Sequence, residues 1–174
     1  MTTWVTENVT DVSGALVMTR DLNGRAVRSG VIRRAVDRLT GRGAAATETE
    51  VDDPALVLVA QSFDDAAASS SVLADSSWRE ADQAVVTHLI AVPAGREDEV
   101  EQTAAQDEYR RVEPRDLPDA AHDAVPDGAV VVALARPQLL DALHLSQERS
   151  RMAGLGARHE GTVLGWQVRQ RPPR

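Results

Sequence analysis

The chain has 174 residues, 43% hydrophobic and 26% charged, with a net charge of -8, which bounds it to one ordinary domain or two very small ones. All of its positive charge is arginine, it has no cysteine, and only 3% of its residues are aromatic. That excludes disulfides, thiolate nucleophiles and cysteine metal sites, and leaves too few rings for a stacking platform that binds single-stranded nucleic acid. The acidic balance disfavours direct nucleic-acid binding outside a local basic patch and favours a basic protein partner. With no positive leader and no apolar run of about 20 residues, the expectation is a cytoplasmic chain with no membrane span.

In chain order, GALVMT (14–19) has the β-branched character of a strand and DLNG (21–24) that of a turn. The stretch that follows predicts a helix over 25–43, with Val27, Val31, Ala35 and Leu39 at spacing four. ATETEV (46–51) alternates like a strand and ALVLVAQSF (55–63) reads as a buried one, so 1–63 forms a β-α-β-β segment. The Ala, Ser and Asp content of 64–83 marks a surface connection or a poorly packed helix.

AVVTHLIAVP (84–93) then predicts a strand, followed by a helix with Glu97, Asp98 and Glu99 in its first turn and a short strand over 109–113. Residues 115–128 form a loop rich in Pro and Asp, and AVVVALA (129–135) is a central strand. Pro137 opens a helix through QLLDALHLSQERSRMAG, TVLGWQVRQ (162–170) is the final strand, and 171–174 is a tail. The order β-α-β-β-α-β over 84–170 predicts a ferredoxin-like α+β domain, an antiparallel four-stranded sheet with both helices on one face. The N-terminal β-α-β-β segment is either a second half-domain or an extension of that sheet.

The glycines of GLGARHEGTVLGWQV (154–168) follow a helix and open a strand, the reverse of a phosphate-binding loop. Gly154 or Gly156 is read as the helix C-cap, Gly161 as the turn, and Gly165 as a bulge or a close approach of another backbone.

Chemistry-bearing residues are sparse. His88, His122, His144 and His159 include no pair at the i, i+4 spacing of a helical zinc site, so no metal ligand is assigned. The acidic runs Asp52-Asp53 and Glu97–Glu99 read as solvated turns and helix faces, no G-x-S-x-G is present, and no cofactor is implied. Arg33, Arg34 and Arg38 lie off the apolar stripe of the first helix and form a candidate basic patch for RNA or an acidic partner.

The pieces THLIAVP, YRRVEP, PDGAVVVALA and LLDALHLSQERSRMAGLGARHEG, ending in Gly165-Trp166, resemble the regulator of ribonuclease E activity B family, also called the ribonuclease E inhibitor domain. The resemblance covers the C-terminal half, with His159 where the family's terminal motif has an aromatic and TVL between Gly161 and Gly165-Trp166. It implies a protein without chemistry of its own that binds another protein, a ribonuclease or another basic protein, and changes its activity.

The expectation is therefore a regulatory, protein-binding module using an open sheet face. Trp166 and Leu164 share that face, with Val163 and Gln167 on the other, and a second copy of the chain is a further occupant. One alternative is an enzyme or small-molecule binder of the dimeric α+β barrel kind, with His88, His159, Tyr109 and Arg136 as its polar groups. A second is an immunity or antitoxin protein that neutralises a basic nuclease through charge.

Overall fold

The computed structural model describes residues 19–20, 26–27 and 49–173. Two short strands, β1 (Thr19–Arg20) and β2 (Ala26–Val27), pair antiparallel. They flank the expected turn, but Ala26 and Val27 are strand where the spacing pattern predicts helix. The rest of that helix, and Arg33, Arg34 and Arg38 with it, lies outside the described residues. Residues 49–51 are irregular rather than the end of a strand.

The main sheet contains β3 (Val57–Ser62), β4 (Ala84–Pro93), β5 (Arg110–Val112), β6 (Ala129–Gln138) and β7 (Thr162–Gln170), in the order β3-β7-β4-β6-β5, antiparallel throughout. The longer helices are α2 (Glu97–Ala105) and α4 (Ala142–Arg158); α1 (Ser69–Ala74) and α3 (Asp119–Asp123) are short. Taken from β4 onward, the spatial order last-first-third-second is the ferredoxin-like arrangement. β3 joins it at the β7 edge, so the strand that ends the N-terminal segment extends the sheet.

The uninterrupted apolar sequence of β4 matches its place between β6 and β7, where Val85, Val86, Leu89, Ile90, Ala91 and Val92 are all 1% exposed or less. On the helix face, Ile90, Val92, Val132 and Leu134 pack with Val100 of α2 and Met152 and Leu155 of α4. Beside them, Val86, Trp166 and Val168 pack with Leu140, Leu145 and Leu73 of α1. On the opposite face, Leu89, Ala91, Ala133 and Leu164 are covered by Leu117 and Val125 of the loop that follows β5, together with Phe63. Polar contacts hold that cover in place: the Arg169 guanidinium donates to Asp116 Oδ2 at 2.7 Å, and Gln167 Nε2 donates to the carbonyls of Arg115 and Asp116 at 3.0 and 3.1 Å. The expected open sheet face is therefore closed.

Two helix boundaries differ from those the sequence predicts. Pro137 belongs to β6, opposite Val85, on a stretch where β5 has already ended against Ala135 and, among the described residues, β6 is paired on one side only. The helix starts five residues later, where Asp141 Oδ1 accepts the N–H of His144 at 2.7 Å and Oδ2 lies 2.8 Å from its ring Nδ1. Burial alone would raise the Asp141 carboxyl, but these hydrogen bonds hold it below the usual range. Asp141→Ala is expected to cost about 1 kcal/mol, read as a lower urea midpoint. At the other end, α4 runs through Gly154 and Gly156, and neither is the cap. The stop is made by Glu160, with φ 58°, while the N–H groups of His159 and Gly161 donate to the Gly156 carbonyl at 2.9 and 2.8 Å.

Candidate functional site

Three of the four residues assigned to the alternative enzyme site meet on the helix face. His88 is central in β4, Arg136 lies near the end of β6, and Tyr109 sits just before β5. Two residues not foreseen from the sequence complete the cluster: Gln138, two residues beyond Arg136 on the same side of β6, and Glu148, on the inward stripe of α4 with Leu145, Met152 and Leu155. A carboxylate on an otherwise apolar stripe was the legible signal for Glu148.

Arg136 is the hub. Its guanidinium is ion-paired with Glu148 Oε1, donates to Gln138 Oε1 at 2.8 and 3.1 Å and to the Asp107 carbonyl at 2.8 Å, and lies 4.5 Å from the centre of the Tyr109 ring. Gln138 Nε2 donates to Glu148 Oε2 at 2.9 Å. His88 Nε2 is 3.6 Å from that oxygen, beyond hydrogen-bond length. Its ring meets Tyr109 edge-on at 5.9 Å.

Burial alone would raise the Glu148 carboxyl. Interaction with His88, the Arg136 charge and the Gln138 amide override that and hold it down to about 2. Burial, and then the charge of Glu148, push the Tyr109 phenol upward. His88 and Gln138 are 0% exposed, Arg136 and Tyr109 2%, and Glu148 3%, so no substrate reaches them as the chain is folded. At the centre of the cluster is a buried ion pair hydrogen-bonded to Gln138, a device that holds β6 against α4, while the His88 ring nitrogens and the Tyr109 hydroxyl are buried without a hydrogen-bond partner.

His159 is not part of it. It follows the end of α4, roughly 16 Å further along the helix than Glu148, with Nε2 3.3 Å from Thr103 Oγ1 and Nδ1 3.7 Å from Glu99. Arg96 bridges Glu99 and Glu160 beside it at 3.1 and 2.6 Å, tying the start of α2 to the turn after α4. Among the described residues, no three His, Asp or Glu side chains converge to hold a metal ion.

Trp166 and Leu164 also depart from the expected placement. Register shifts between Leu89 and Ile90, which pair with Gly165 and Val163, so β7 carries a bulge at Leu164. The extra residue reverses the alternation. Trp166, 2% exposed, faces the helices with Val163, while Leu164 packs on the opposite face. Trp166 is thus a core residue and not an exposed anchor.

The accessible feature is a groove of about 610 Å³ between residues 62–70, α4 and the bulged part of β7. Its walls are small, with Ala66, Ala67, Ser146, Ser150 and Ala153 among them, and Leu143 stands at its side, 64% exposed. The helix face carrying Leu143, Ser146, Ser150 and Ala153 is this wall rather than the core-facing side. Arg149 closes one end by donating to the carbonyls of Ala67 and Asp65, both at 2.7 Å, and to Ser69 Oγ at 3.1 Å. The groove has the volume of a ligand or peptide site, but Arg149 is spent on structure and no histidine lines it. No helix among the described residues is long and apolar enough to cross a membrane. No protein-family model, curated protein or solved structure matches the chain.

Proposed function

We propose that the chain is a non-catalytic, protein-binding module of the regulatory kind, which holds a partner segment in the groove between residues 62–70 and α4. The observation that carries this reading is that the converging polar groups are out of reach: His88, Tyr109, Arg136 and Glu148 are sealed in the core, whereas the groove presents mainly methyl and hydroxyl groups, with Asp64 and Asp65 as its carboxylates. The covered sheet face also disfavours a dimeric α+β barrel, since two sheets could close over a cavity only by displacing residues 113–128. On that face the space lined by Val85, Thr87, Gln167 and Arg169 is about 20 Å³, room for about one water.

The resemblance to ribonuclease E regulators agrees with a binding role in the cytoplasm and names the first partner to try, and the net charge of -8 suits a basic protein. An immunity role against a basic nuclease shares these features. Purified ribonuclease E cleaving a short RNA is expected to slow when excess protein is added; unchanged cleavage rejects that partner. The groove itself is tested by Ala153→Trp, which fills it from an exposed wall position. Partner affinity is expected to fall at least about tenfold, and full affinity in the folded variant places binding elsewhere.

A further inference from the structure

The outer edge of β3 lies next to the groove, which shares Ser62 and the start of α1 with it. Among the described residues β3 is the last strand of the sheet, bonded to β7 on one side and to no strand on the other. A free edge is a row of unpaired N–H and C=O groups, and proteins that stay apart normally blunt it with charge or proline. This edge has neither. Val57–Phe63 reads VLVAQSF and residues 66–74 read AAASSSVLA, two charge-free runs in a chain that is 26% charged.

The second run forms α1, which lies beside β3, with Val59 and Val72 in the same apolar cluster. A hollow of about 600 Å³ follows the strand, lined by Leu58, Val59, Ala60 and Val72, with Asp75 its one charged residue. Val57, 45% exposed, stands at the start of the strand. Depletion of charge around an apolar centre is the composition of an interface core rather than of a solvated surface.

We propose that a second copy of this chain pairs its β3 antiparallel with this one about a two-fold axis, joining the two sheets into one. A basic partner would find no acidic group on this stretch of edge, whereas a second copy brings the same neutral, apolar strand to it. Two chains of net charge -8 repel over most of their surfaces, and the β3 edge with α1 is a place where they meet without opposing charges. A strand paired antiparallel with its own copy uses the same surface twice, so each Val57 and each hollow is covered by the other copy. The register shift between Leu58 and Ala60 shortens the regular edge. Six residues give a contact about 20 Å long, at the small end of stable interfaces, and this predicts dissociation in the micromolar range.

Sedimentation velocity of the full chain, from about 1 to about 200 µM, is expected to show the mass rising from 18.7 kDa toward twice that value. Val57→Lys sets a charged side chain on the paired edge, the device that blocks edge-to-edge pairing, and is expected to weaken association at least about tenfold, with the circular dichroism and melting of the dilute protein unchanged. Leu143→Glu, at the groove, is expected to associate like wild type. A wild-type mass of 18.7 kDa throughout overturns the proposal. So does Val57→Lys assembling like wild type, or Leu143→Glu abolishing the dimer. Because Val57 is not among the residues that line the groove, these outcomes stand apart from the partner-binding tests.

Discussion

Glu148→Ala is expected to destabilise the protein by about 3 to 5 kcal/mol, the cost of leaving a buried guanidinium without its carboxylate. Arg136 is 2% exposed, and its remaining contacts, the Gln138 amide oxygen, the Asp107 carbonyl and the Tyr109 ring, cannot neutralise it. Replacing both partners by apolar residues of similar shape, Arg136→Met with Glu148→Leu, removes the charge problem with the charges and is expected to be neutral or stabilising. Urea unfolding of the two variants separates the penalty of a broken pair from the net worth of the intact one.

The same carboxylate gives a pH dependence whose sign is fixed. Its folded value, near 2, lies below its ordinary value of 4.5, so between those values the unfolded chain binds the proton more readily. The stabilisation, roughly 3 kcal/mol at about 1.4 kcal/mol per pH unit, is present in full above pH 4.5 and is lost as the pH falls toward 2. Glu148→Gln should flatten the stability profile over that window, leaving the remaining carboxylates to set the slope. A profile for Glu148→Gln as steep as wild type would show that the pair does not govern acid unfolding.

Gly165→Ala is expected to cost about 3 kcal/mol, large for the addition of one methyl group. A Cβ at Gly165 would collide with the Ser62 carbonyl oxygen and stand 2.7 Å from Phe63 Cδ1. The obstacle is mainly backbone, so β3 would have to move away from β7. Gly161→Ala meets the Ala91 carbonyl oxygen at 2.5 Å and Val92 Cγ1 at 2.7 Å and belongs with it. Gly154→Ala is the contrast: the position is helical, has nothing within 4 Å, and is expected to gain up to about 1 kcal/mol. Hydrogen exchange should show β3 amides losing protection in Gly165→Ala and keeping it in Gly154→Ala.

The ferredoxin-like order was legible because β4 and β6 are apolar runs too long for turns and too rich in valine for helices, with acidic and Pro-rich punctuation between them. The close approach at Gly165 was legible too, since a glycine weakens a strand and is kept where a side chain would meet a neighbouring backbone. Side-chain direction beyond the bulge was not, because an unpaired residue at Leu164 is defined only by its partners Leu89 and Ile90 in another strand. The start of α4 was misplaced because Pro137 fits a first helical turn as well as it fits a singly paired stretch of strand. Asp141, the true cap, carried the competing signal. Residues 115–128 read as a loop but carry the short helix α3, and their packing over Leu89 and Ala133 rests on scattered apolar residues, Leu117 and Val125, that no periodicity marks.

Of the polar groups proposed for an enzyme, His88, Tyr109 and Arg136 do converge, but the sequence could not show that Glu148 meets them or that the whole is sealed. Burial is a property of the layers above a residue, and those layers come from α4 and from the loop before β5.

In this reading the buried cluster holds the fold while the groove holds the partner. The two roles are separated by capturing a partner from native lysate with three folded proteins: wild type, Arg136→Met with Glu148→Leu, and Ala153→Trp. The double variant is predicted to retain the wild-type partner and Ala153→Trp to lose it. Loss of the partner by the folded double variant, or its retention by Ala153→Trp, would contradict this division of roles.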